Sequence, residues 1–259
     1  MIVRAVRVNL RVALGGHRAL WLVMGLVVLW LFAFHLYNPW DILLNATDQN
    51  SYVFVVIPVY LLILNVDLLQ PWHRLTALRM RSSRTWWWAH VLTAGAIAVL
   101  MAIGLVGLTV LVGTVSHQWS WQWGTFGQHS EPPAVLANPP WNVPWHWGLL
   151  ALGYFTLGLW AVGVMRHMVA LWWRAPWLTW LALMTLALTS RALNGTAAHA
   201  AIWFLPGAQF SYWFHWTGSR AHALRWSLGY GTVLWGLATL AGGLLAGRAR
   251  WVGRHGDSL

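Results

Sequence analysis

Gln70–His90 reads QPWHRLTALRMRSSRTWWWAH. It carries Arg74, Arg79, Arg81 and Arg84 and no acid, and apolar runs long enough to cross a bilayer flank it on both sides. Coiled as a helix over 71–85, it puts Arg74, Arg81 and Arg84 on one face. Trp72, Leu75 and Leu78 fall roughly opposite, and Arg79 lands near the apolar side. Trp86, Trp87 and Trp88 follow where the next run leaves the interface, a depth that suits indole rings. The spacing predicts a short basic interfacial helix between two membrane helices. A plain basic loop is the simpler reading.

The rest of the chain agrees with a bilayer. Of 259 residues, 59% are hydrophobic and 8% charged, whereas a soluble domain has roughly a quarter charged. So little charge cannot cover a water-facing surface, and an integral membrane protein is expected. The net charge of +11 would suggest nucleic acid in a soluble protein. Here its distribution excludes that partner. All sixteen cations are arginine, and thirteen fall in four clusters. These are Arg4, Arg7, Arg11 and Arg18; Arg74 to Arg84; Arg166 and Arg174; and Arg248, Arg250 and Arg254. Placed on one side of a membrane, they form the positive-inside bias. Arginine without lysine, with much Gly, Ala and Trp, has the look of a GC-rich bacterial genome. The chain has no cysteine, which removes disulfides, thiolate chemistry and cysteine metal sites.

Residues 1–18 read as an amphipathic helix lying in the interface. Arg4, Arg7 and Arg11 share one face, and Ile2, Val6, Leu10 and Ala13 the other. Gly15 and Gly16 end it. Six spans follow, an all-α fold: about 19–37, 52–69 with a kink expected at Pro58, 91–115, 146–173, 177–194 and 224–247. The first three fill 19–115, with the polar connection 71–90 between the second and third. A Trp- and Pro-rich outer loop, 116–145, precedes the last three, which fill 146–247, and a basic tail, 248–259, closes a single transmembrane domain. An even number of spans puts both termini on the arginine side, the cytoplasmic one.

Five acids scattered among loops and helix ends form no carboxylate pair, and no nucleotide-binding loop is present. The chain is not expected to be an enzyme or to hydrolyse ATP. Twelve histidines sit at span ends or in loops, so no metal or other cofactor is expected. Asp67, at the inner end of the second span, is read as a partner for Arg74, Arg84 or Arg4. Arg191, in or near the outer leaflet, is a candidate functional charge, because a membrane-embedded cation is costly unless it faces protein, water or phosphate.

The layout resembles the permease subunit of ABC-2 type transporters. The resemblance covers the whole chain as topology and rests at residue level on 60–95, YLLILNVDLLQPWHRLTALRMRSSRTWWWAHVLTAG. There a span ends in an acid, and a basic stretch with an Arg-Ser-Ser-Arg element leads through aromatics into a new span. The resemblance implies a bacterial exporter subunit that works with a separate cytoplasmic ATP-binding subunit and a second permease chain, identical or related. It implies that Trp72 to Arg84 is the coupling helix. Arg4 to Arg18 and Arg166 to Pro176 would lie near the same ATPase. It also implies re-entrant outer helices over 195–223, before the last span. Membrane lipids are the remaining partner, and a hydrophobic or amphipathic substrate suits the path. The alternative reading is a non-transporting membrane subunit, either a cofactor-binding oxidoreductase subunit or an anchor.

Overall fold

The computed structural model describes residues 2–15, 24–25, 43, 51–65, 82–116, 144–172, 181–185, 188–189 and 220–248. The first expected span beyond residues 24–25 lies outside them, as do the loop 116–145 beyond its ends, 195–219 and the tail 249–259. Among the described residues the fold is all-helical. The elements are α1 (Ile2–Ala13), α2 (Ile57–Asn65, continuing a π-helical turn, Tyr52–Val56), α3 (Ser83–Ser116), α4 (Pro144–Trp172) and α5 (Arg220–Arg248).

The stretch Arg84–Val115 of α3 and Gly229–Ala246 of α5 are long and apolar enough to cross a membrane, and most of each is left uncovered by the rest of the chain. On α5 the division is clear. Val233, Leu237, Leu240 and Leu244 point outward, while Ala238, Thr239 and Ala246 are buried. Large aliphatics outside and small residues inside is the reverse of a soluble core, and small residues at the contact let helix backbones approach. Three threonine hydroxyls are satisfied within their own helices: Thr93 donates to the Ala89 carbonyl at 2.7 Å, Thr109 to Leu105 at 2.9 Å and Thr156 to Leu152 at 2.7 Å. That self-sufficiency suits a medium without water.

Three aromatic side chains fasten the helices together. Trp87 of α3 donates its indole N–H to the Thr239 carbonyl of α5 at 3.0 Å, and its ring lies where a β-carbon on Gly242 would stand. Trp160 of α4 donates to the Val91 carbonyl of α3 at 2.8 Å. A β-carbon on Gly95 would come within 2.9 Å of that indole. Tyr60 of α2 donates to the Ala94 carbonyl at 2.9 Å and occupies the space above Gly163. In each case a glycine gives the ring its seat. Of the tryptophan triplet, Trp86 and Trp87 are buried against the chain and Trp88 is exposed.

Two boundaries differ from the sequence reading. The disturbance expected at Pro58 takes the form of the π turn before it, in which the Ile57 N–H reaches back to the Tyr52 carbonyl. Widening the turn makes room for a ring that would otherwise meet the carbonyl four residues earlier. And α3 begins at Ser83 rather than 91. Ser82 caps it, its hydroxyl accepting from the Thr85 N–H at 3.1 Å. Arg84 to His90 are thus the opening turns of the long helix.

Candidate functional site

The contacts fix which ends of the helices meet. His90, near the start of α3, lies against His167, near the end of α4, with ring centroids 4.9 Å apart. Trp87 reaches Thr239 in the later half of α5. Asn9 of α1 donates to the Thr93 hydroxyl at 3.4 Å. The start of α3, the later halves of α4 and α5, and α1 therefore gather at one end of the bundle. Four stretches rich in arginine either lie in these elements or adjoin them.

Within that end, Arg166 is fully buried on α4, and His167 and His90 are each 1% exposed. Arg166 Nη1 lies 3.0 Å from His167 Nδ1. A guanidinium can only donate, so Nδ1 accepts and the His167 proton sits on Nε2. The His90 ring lies 4.3 Å from Trp86, tilted by 59°. Taking a cation out of water costs several kcal/mol before compensation, so a buried arginine in an apolar helix marks a specific arrangement. The cluster joins α4 to α3 through the His90–His167 ring contact, beside the Arg166–His167 bond within α4. Among the described residues no group of three or more His, Asp or Glu could hold a metal ion. The guanidinium beside His167 would repel one.

Of the residues singled out in the sequence, Arg4, Arg7 and Arg11 are exposed along α1, and Arg84 is exposed in the first turn of α3. Trp72, Arg74, Leu75, Leu78, Arg81, Asp67 and Arg191 lie outside the described residues. The buried side of α1 is Ala5, Asn9 and Ala13, opposite the arginines; it shares Ala13 with the expected face of Ile2, Val6, Leu10 and Ala13 and is rotated part of a turn from the rest of it. Small residues let α1 press on α3, and Ile2, Val6 and Leu10 form a half-covered flank.

The sequence reading missed the His90–His167 pairing, because the two residues belong to different helices. It also placed Arg166 among residues near an ATPase, and burial removes its side chain from any such surface. The available signal was Arg166-His167 set inside a long apolar helix. No family model matches the chain, and no curated protein or solved structure matches it.

Proposed function

We propose that the chain is the permease subunit of an ABC transporter of the ABC-2 type, moving a hydrophobic or amphipathic substrate across the bacterial cytoplasmic membrane. The observation that carries this reading is the convergence at one end of the bundle. There α1, with Arg4, Arg7 and Arg11 outward, packs through Asn9 on α3, the helix whose first residues close the basic stretch 71–85. A row of cations beside a basic connecting segment is suited to a cytoplasmic partner, and ATP hydrolysis would reside on that partner. In this reading six spans cross the membrane, both termini are cytoplasmic, and two permease chains enclose the path.

Docking concentrates its energy in a few anchors, here Leu75 and Leu78. The double variant Leu75→Asp/Leu78→Asp should still insert into the membrane but no longer co-purify with a co-expressed ATPase encoded beside it. A double variant that binds the ATPase and transports normally removes the coupling assignment. Reporter fusions at Gly15, Ser82, Ala175 and Gly253 should read cytoplasmic, and those at Asn45, Gln128 and Gly207 outside.

A further inference from the structure

Arg84 occupies a position that helix energetics do not explain. It sits in the first turn of α3, where the positive end of the helix macrodipole disfavours a cation, and its side chain is exposed. The residues above it on the same side form an ordered series. Trp88 follows one turn on and Leu92 one turn further, each 42% exposed. Val99, Ile103 and Val106 continue the exposed face. Cation, indole and aliphatics thus succeed one another along one stripe of the helix.

The apolar stretch from Arg84 to Val115 has 32 residues, a length of about 48 Å at 1.5 Å per residue. The hydrocarbon core of a bilayer is only about 30 Å thick, with about 40–45 Å including the headgroup layers. A helix of that length carries its first turn out to the phosphates. Trp88 then lies about 6 Å deeper and Leu92 about 12 Å deeper. These depths correspond to phosphate, glycerol ester and acyl chain. The side chains match each layer: arginine pairs with phosphate, indole favours the interface and leucine the hydrocarbon.

We propose that the Arg84–Trp88–Leu92 face binds an anionic phospholipid, with its phosphate on Arg84, its ester region against Trp88 and an acyl chain along Leu92 and the aliphatics beyond. The proposal rests on α3 crossing the membrane, as in the permease reading, but needs no ATPase. It separates Arg84 from a partner-docking role, because Arg84 belongs to α3 and shares its outward face with membrane-seeking side chains.

The test uses the full chain purified from mixed micelles of phosphatidylglycerol and phosphatidylcholine, with retained lipid counted by native mass spectrometry. The native chain should retain phosphatidylglycerol over phosphatidylcholine. Arg84→Gln should lower the retained phosphatidylglycerol roughly tenfold, the effect of losing one charge-assisted contact. Arg84→Lys should keep part of it, as a point charge without the planar fork. Trp88→Ala should lower retention of both lipids. The size-exclusion profile checks that each variant is folded. Undiminished phosphatidylglycerol in folded Arg84→Gln would overturn the proposal. So would equal loss of both lipids in that variant. Because no ATPase is present in the lipid measurement, its failure is separate from failure of the permease reading.

Discussion

Arg166 and Arg84 are the same residue near the same end of one helical bundle, and their surroundings are opposite. Arg166 is fully buried and bonded to His167. Arg84 is exposed at the start of α3 with Trp88 and Leu92 above it. One guanidinium is enclosed by the bundle and bonded to its neighbour on α4, and the other meets whatever surrounds the bundle. A count of cations per side treats the two alike. Their burial shows that the arginine clusters mix residues of different work.

The sharpest way to break the comparison is to neutralise each arginine in turn. Arg166→Ala should destabilise the chain by about 2–5 kcal/mol, from the cavity left by a large buried side chain and from the His167 Nδ1 acceptor left without its donor. Arg84→Gln and Arg7→Gln should each stay within about 0.5 kcal/mol, as substitutions at exposed positions do. Thermal loss of the monodisperse peak in detergent measures both. Equal effects on the two would mean that Arg166 contributes only charge. Arg166→Met fills the space with an apolar chain. If it recovers stability while transport stays lost, the guanidinium has a functional role beyond its bond to His167.

A smaller effect distinguishes the tryptophans in the same way. Gly242→Ala sets a methyl group where the buried Trp87 ring lies. The ring is rigid and its N–H is committed to the Thr239 carbonyl, so it cannot simply turn aside. Overpacking of this kind costs about 1–3 kcal/mol. Gly236 has nothing within 4 Å of an added β-carbon, so Gly236→Ala should be neutral or slightly stabilising through helix propensity. Similar losses at the two glycines would remove Trp87 as a lock between α3 and α5.

Much of the helical layout was legible. The arginines of α1 fall on one face as their spacing predicts, and they are exposed. Helices occupy described parts of the expected second, third, fourth and sixth spans. These features follow from local rules, 3.6-residue periodicity and apolar run length. The buried cluster was not legible, since no local rule joins His90 to His167. Neither was the division of Trp86, Trp87 and Trp88. Three adjacent residues on a helix point in three directions, and only the positions of the neighbouring helices decide that Trp86 and Trp87 are covered and Trp88 is not. The start of α3 was missed for a related reason. Ser82 was visible in the Arg-Ser-Ser-Arg element, but its capping bond to Thr85 competes with the hydropathy that drew the boundary at 91.

The smallest expected effect concerns how α1 is held. Its buried stripe, Ala5, Asn9 and Ala13, has a single polar member. Asn9 donates to the Thr93 hydroxyl at 3.4 Å, and that hydroxyl in turn donates to Ala89 at 2.7 Å. The first bond is long, and its removal leaves Thr93 still satisfied within α3. Asn9→Ala should therefore cost only about 0.5–1.5 kcal/mol. The cost should fall on the docking of α1 rather than on the bundle. Hydrogen exchange reads the difference: amides of residues 2–13 should exchange faster while those of α3 near Thr93 keep their protection. Asn9→Leu widens the same stripe and should release α1 further, because the contact with α3 is built on small side chains. If α1 stays protected in both variants, its arginine row is held at the bundle by the membrane surface and not by α3. The exposed arginines would then answer to lipid, and only Arg166 to the protein.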